Sequence, residues 1–388
     1  FLSSGHPEVV IHTRYDQENK KAVVTIEQIQ DFESTPLFRL PMEVDIYVNG
    51  DVFKHKIVAH EHFEEFSFDV ASKPELINVD AEKMLLGERK EVKSNSEWAF
   101  QYLNAPLFID RFEAIESLIP STDSLADEVI YKALSDPFES IRVLAIKNAK
   151  RLSEKNSAGL KADLIKLAKE DSKSEVRAGA IKQLKTLYNG DAEAVEVYKI
   201  GLNDKSYAVL SEALAAIFSE DENEAMKLAK SLEQEKNVSV LSTIAAIYAK
   251  NGDDSHNDFF INASKEISGF GKYSFILMYG NYLKNRSDET INAGLPIIED
   301  AAINSAAWWM RLGGVKVLAD LLAMYESQET AYKNELKSVA PGTPEEAAVN
   351  RKLVNNAVQK KKILTSILLV KEKETNENLI QVLSNFSE

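Results

Sequence analysis

A repeat is what most narrows the folds open to this chain. DPFESIRVLAIKNAKRL, starting at Asp136, realigns with DSKSEVRAGAIKQLKTL, starting at Asp171, an offset of 35 residues. An Asp, an Ile/Val-Arg pair, Ala-Ile-Lys and a final Leu stay in register. DKSYAVLSEALAAIF follows 33 residues later from Asp204, with Val209 and Ala213 in place, and a fainter copy, VSVLSTIAAIYAK, begins at Val238. Apolar residues inside each copy fall at helical spacing. The polar turn Asp171-Ser172, with Ser174 and Glu175 leading into the apolar series, offers the side-chain oxygens that cap a helix start. Each period holds two helices, such as SAGLKADLIKLAKE and VRAGAIKQLKTL. One such pair cannot bury its own apolar face, so neighbouring pairs must stack.

The pattern D-x-x-x-x-[IV]-R-x-x-A-I-K resembles the second helix of HEAT repeats, whose units usually run to about 40 residues. With its shorter period this chain is HEAT-like. The resemblance implies an all-α superhelical solenoid over residues 93–388. Past residue 255 the repeat fades while helical spacing continues, and Thr343-Pro344 marks the entry of a long helix through VNRKLVNNAVQKKKILTSILLVKEK.

Residues 1–92 read differently. EVVIHTRY, KAVVTIEQI, MEVDIYV, FKHKIVAHEHF and EFSFDVA are rich in Val, Ile, Phe and Tyr, several with period-two alternation, and each predicts a strand. Asn49-Gly50 supplies the positive φ angles of a two-residue primed hairpin turn. PELINVD and AEKMLLGE close the block, so residues 1–92 predict an antiparallel β-sandwich domain. The change to helical spacing falls at Ser94-Asn95-Ser96.

Charge narrows the partners. Against 46 Lys and Arg stand 61 Asp and Glu, a net charge of −15. Displacing counterions from phosphate needs a basic surface, so this balance argues against nucleic acid and against anionic membrane surfaces. No apolar run is long enough to cross a membrane as a helix. With no Cys, thiol catalysis, disulfides and thiolate metal sites are excluded, while the compartment stays open.

Catalytic signatures do not converge. AHEHFEEF brings His60, Glu61, His62 and Glu64 together, but H-E-x-x-H needs a second His where Glu64 stands, on a helix and not on a strand. In an extended segment His60 and His62 share one face, and a surface cluster is the expectation. His6 lies in the turn Gly5-His6-Pro7, and His12, His55 and His256 are isolated. SGFGKYS, with Gly269 and Gly271, lacks the preceding strand of a nucleotide loop. AAWWMRLGG, with Trp308, Trp309, Met310 and Arg311, predicts one Trp in the core and the other near its edge; an Arg beside aromatics also suits a ligand-facing or partner-facing groove. Lys360, Lys361 and Lys362 predict a solvated helix face. No catalytic and no metal residue is assigned.

The N-terminal stretch FLSSGHPEVVIHTRYDQENKKAVVTIEQIQ resembles the junction in the aminopeptidase N-like gluzincin family of zinc aminopeptidases. There the catalytic domain ends in a W-x-x-x-x-G-x-P stretch and a sandwich strand follows. Gly5 and Pro7 match the G-x-P, and Val24, Ile26, Gln28 and Gln30 match V-x-I-x-Q-x-Q. FRLPMEVDIYVNG and INVDAEKMLL also look like that family's sandwich. The likeness covers residues 1–92, and the helical region by architecture alone. It implies the C-terminal non-catalytic half of a zinc-dependent aminopeptidase, closing the active-site chamber and restricting peptide access. The zinc, its H-E-x-x-H ligands and the G-x-M-E-N substrate loop would belong to an N-terminal catalytic domain, which the apolar Phe1-Leu2 pair expects as its cover. The rival expectation is a stand-alone HEAT-like scaffold for protein interaction; a self-contained hydrolase ranks last.

Overall fold

The computed structural model describes residues 5–386, so the Phe1-Leu2 pair lies outside the described residues. Seven strands come first: β1 (Glu8–Asp16), β2 (Lys21–Gln28), β3 (Leu40–Val48), β4 (Asp51–Ala59), β5 (Phe63–Asp69), β6 (Leu76–Val79) and β7 (Glu88–Val92). They form a four-stranded sheet in the order β5-β2-β1-β7 and a three-stranded sheet in the order β4-β3-β6. Alternate apolar residues of both sheets meet in one core, with Ile11, Val24, Ile26, Val44, Ile46 and Val79 essentially inaccessible. The hairpin at Asn49-Gly50 is as expected: φ is +50° and +88°, and Val48 pairs with Asp51.

Two strand expectations need correction. FKHKIVAHEHF is not one strand: β4 stops at Ala59, and His60, Glu61 and His62 make the turn into β5. Glu64 Oε2 accepts from the backbone N–H groups of His60 (2.5 Å) and Glu61 (3.2 Å), satisfying donors that leave the ladder there. The sheet is also not wholly antiparallel. AEKMLLGE leads into β7, which lies parallel to β1 with Glu8 opposite Glu88 and His12 opposite Val92. Polar residues alternate in ERKEV as apolar ones do in a typical strand, so hydrophobic patterning could not reveal it.

Helices follow. By compactness the chain divides into two units, Phe1–Gln183 and Leu184–Glu388. The first holds the sandwich with α1 (Asn95–Asn104), α2 (Phe108–Leu118), α3 (Ser124–Lys132), α4 (Glu139–Lys147), α5 (Ala149–Glu170) and most of α6 (Ser174–Leu187). α1 is entered through a capping box between Ser94 and Glu97. It packs on β6 and α2, with Phe100 edge-on to Tyr47 of β3.

The conserved spacing of the repeat has a physical basis here. Arg142 donates to the carbonyl of Asp136 (2.7 Å), six residues back, and forks onto both oxygens of Asp171 in the next copy (2.8 Å each). Arg177 repeats the first step onto the Asp171 carbonyl (2.8 Å), and Arg111 approaches Asp136 from the preceding helix pair (2.9 Å). The repeated Asp and Arg thus tie neighbouring helix pairs together at Asp136 and Asp171.

The second unit continues with α7 (Ala192–Gly201), α8 (Tyr207–Glu220), α9 (Glu222–Ser231), α10 (Val238–Asn251), α11 (Asn257–Glu266), α12 (Gly269–Leu283), α13 (Asp288–Asn304), α14 (Trp308–Ser338), α15 (Pro344–Lys373) and α16 (Glu377–Leu383). α8, α10, α12 and α14 stack in one layer, each also packed on the helix before it. Pairing persists through α11–α14, where the sequence repeat has faded. Thr343 caps α15, its hydroxyl accepting from Glu346 N–H (3.2 Å). The whole is a β-sandwich followed by HEAT-like helix pairs.

Candidate functional site

The sequence candidates have structural roles. His60 and His62 are exposed, His60 beside Glu64 (3.3 Å) and His62 against the edge of Phe32. His6 lies 3.6 Å from Glu88, His55 packs on Phe68, and His256 bonds to Asp253 (2.9 Å) under Tyr248. Gly269, at φ +59°, opens α12 directly after α11, without a strand before it. Neither Trp of AAWWMRLGG is buried, contrary to expectation. Trp309 packs against Phe270 and Tyr273, while Trp308 is exposed. Arg311 forks onto Glu374 (2.7 Å twice) and donates to the Ser305 carbonyl (3.0 Å), repeating the six-residue step of Arg142. Lys360 is not merely solvated, since it reaches Glu329 of α14 at 2.5 Å.

The residues on which the sequence resemblance rests are built into the sandwich. Gly5 has φ +84°, and a Cβ there would lie 2.3 Å from Thr35 Oγ1, so only glycine fits. Buried Pro7 accepts from Glu88 N–H (2.9 Å) just before β1 begins. Gln28 and Gln30 are buried. Gln28 Nε2 donates to the Phe38 carbonyl (2.8 Å) and its Oε1 accepts from Phe38 N–H (2.9 Å). Gln30 donates to Gln28 (3.1 Å) and to the Pro36 carbonyl (2.9 Å). The two amides thereby satisfy the backbone of the β2–β3 connection.

The chemically richest place lies elsewhere in the first unit, between β7 and α2. A cavity of about 620 Å³ is lined by Lys83, Arg89, Glu91, Trp98, Ile109 and Glu113, among others. Period two puts Arg89, Glu91 and Lys93 on one side of β7 and its extension. Lys83, 6% exposed, joins Asp110, fully buried, at 2.9 Å and Glu113 at 3.1 Å. Asn78 of β6 donates to Asp110 (3.0 Å), and Arg89 binds Glu113 and lies 3.6 Å from Asp80. Glu91 and Lys93 form a second pair at 2.7 Å, 4% and 0% exposed, with Lys93 also donating to Gln101 (2.9 Å) and lying over the Trp98 ring (4.5 Å). Burial pushes the Lys93 ammonium below the usual lysine range while Glu91 pulls the other way. Hydrophobic periodicity missed all of these residues. The available signal was ERKEVK itself, a short strand whose inward positions are charged.

Among the described residues, no group of three or more His, Asp or Glu is placed to hold a metal ion. No helix of the described residues is long and apolar enough to cross a membrane.

No family model and no curated protein matches this chain. Among solved structures, it is similar to Legionella pneumophila aminopeptidase A in complex with aspartic acid: 11% identity, TM-score 0.49, covering 98% of this chain. It is also similar to the CpcE–CpcF complex of phycocyanin lyase from Nostoc: 13% identity, TM-score 0.35, covering 59% of this chain and 94% of that one. The chain spans 48% of the length of the aminopeptidase.

Proposed function

We propose that this chain is the non-catalytic C-terminal half of a zinc-dependent aminopeptidase, with residues 1–92 as its sandwich module and 93–388 as the helical domain that closes the chamber and restricts peptide access. The observation that carries this reading is the junction. Of its four matching positions, Gly5 has a positive φ and no room for a Cβ, Gln28 and Gln30 satisfy the backbone with their side-chain amides, and Pro7 is buried with its carbonyl accepting from Glu88 N–H. The chain entering β1 is therefore held in one path. The sandwich-then-helix order is what the same resemblance implies. In this reading the zinc, its ligands and the group that anchors the substrate's amino terminus belong to a preceding catalytic domain.

The test is the intact mass of the polypeptide in its native source, with peptide mapping upstream of Phe1. A mass well above 43.4 kDa together with an H-E-x-x-H peptide is expected. A native chain beginning at Phe1 would overturn the reading and leave the interaction scaffold. Independently, the purified 388-residue chain is expected to bind no stoichiometric zinc and to leave aminoacyl reporter substrates uncleaved; turnover by this chain alone would also overturn it.

A further inference from the structure

The outer face of α15 leaves both charge and apolar surface unmatched. α13 and α15 each pack chiefly on α14, and a groove of about 410 Å³ remains between them, lined by Leu295 and Glu299 of α13 and by Val358, Lys361, Lys362 and Thr365 of α15. Val354, Val358, Lys361 and Thr365 stand at i, i+4, i+7 and i+11, a single row along the helix, with Arg351 and Lys362 at its flanks. Val354 is 64% and Val358 49% exposed, so this row keeps apolar surface in water. The cations one residue away behave differently. Lys352 pairs with Glu335 (3.1 Å) and Lys360 with Glu329 (2.5 Å), both on α14, whereas Arg351 and Lys361 are exposed and have no ion-pair partner among the described residues. Lys362 donates to the neutral Asn292 Oδ1 (3.2 Å), and Glu299, the carboxylate of the lining, already accepts from Ser366.

We propose that this groove docks an amphipathic helix of a partner protein, its apolar face against Leu295, Val354 and Val358 and its flanking Asp or Glu residues against Arg351, Lys361 and Lys362. Charge selects the chemistry. Three cations face one carboxylate that is already engaged, so acidic side chains are attracted here on a chain whose net charge of −15 otherwise repels them. Shape selects the conformation, because the space between two helices that share a third accepts another helix, held by anchors at helical spacing. A basic helix would meet like charge in the groove. The proposal goes beyond the peptidase reading and does not depend on it, since all of the residues lie on this chain.

Fluorescence anisotropy with the full 388-residue chain at physiological salt tests it. The probe is a labelled synthetic peptide of about 18 residues, five helical turns, with Leu along one face and Glu elsewhere; its neutral isostere carries Gln in place of Glu. Saturable one-to-one binding of the Glu peptide is expected, about tenfold or more tighter than the Gln peptide and weaker as salt is raised. Arg351→Glu/Lys361→Glu should weaken binding about tenfold or more. Lys227→Glu/Lys236→Glu makes the same change in net charge at exposed positions away from α15 and should leave the affinity unchanged. Four results would overturn the proposal: no saturable binding of the Glu peptide, equal affinity for the Gln peptide, unaltered affinity in Arg351→Glu/Lys361→Glu, or sedimentation of the unaltered chain as a dimer that this variant dissociates, which would make the occupant a second copy.

Discussion

The two compact units bury polar groups in different ways. In the strand-bearing unit several ion pairs are largely buried, Lys83 with Asp110, Lys93 with Glu91 and Arg142 with Asp171, beside the neutral amides of Gln28, Gln30 and Gln101. In the helical unit four buried tyrosines carry hydrogen-bonded hydroxyls. Tyr248 donates to Glu233 (2.7 Å), Tyr325 to Asp288 (2.7 Å), Tyr279 to Asn257 (2.8 Å) and Tyr282 to the Asp253 carbonyl (2.7 Å). Burial pushes all four phenols far above their ordinary range, so they stay neutral donors. The exception in that unit is Arg311 with Glu374. A phenol buries a large apolar ring and needs one partner, whereas a charge needs several. The expectation is that the helix pairs tolerate loss of single polar contacts better than the sandwich with its first helices.

Removing one member of a buried charge cluster should have the largest effect. Lys83→Met leaves Asp110 inaccessible and without its counter-ion, and should cost about 3–5 kcal/mol in denaturant unfolding of the first unit. Lys83→Met combined with Asp110→Asn should recover much of that loss, and a double variant no better than the single one would break the contrast between the units. Arg142→Ala, which cuts the link between successive copies of the repeat, should cost about 2 kcal/mol, in line with hydrogen bonds to charged groups. A value near zero would mean that apolar stacking alone holds neighbouring pairs.

The exception in the helical unit can be isolated by pH. Glu374 is held down to about 2, first by the hydrogen bonds from Arg311, against an ordinary value of 4.5. A depressed carboxyl stabilises the fold fully above its unfolded value and loses that contribution as pH falls through its folded value. Stability of the helical unit should therefore decline from pH 4.5 toward 2. In Glu374→Gln this decline should flatten; an unchanged acid slope would assign it to other groups, among them Glu329, also held down to about 2 by Lys333 and Lys360. The smallest effect belongs to Tyr248→Phe, which keeps the ring and removes one hydroxyl. About 1 kcal/mol is expected from thermal or denaturant unfolding. A cost matching Lys83→Met would erase the difference between the units.

Much of the chain's organisation was legible because it is written in periodicity. The Asp136–Leu152 and Asp171–Leu187 copies announced stacked helix pairs, and Asn49-Gly50 announced a hairpin, because backbone φ and amphipathic spacing are local properties. The helix pairs of α11–α14 were less visible: Ser305 stands where the earlier copies have Asp, yet Arg311 still reaches its carbonyl, as any residue's backbone permits. The turn at His60–His62 was hidden inside an apparently continuous strand, and its stabilising acceptor, Glu64, comes from the next element.

By itself the sequence determined a β-rich block followed by repeated helices, and its lack of Cys excluded thiol chemistry on this chain. Only the tertiary structure decided that β7 runs parallel to β1 and that Lys83, Arg89, Glu91 and Glu113 meet around one cavity. Local propensity acts between residues a few positions apart. Ion pairing between Lys83 on a loop and Asp110 on α2 depends on how the helices settle on the sheet, and no spacing along the chain encodes that distance.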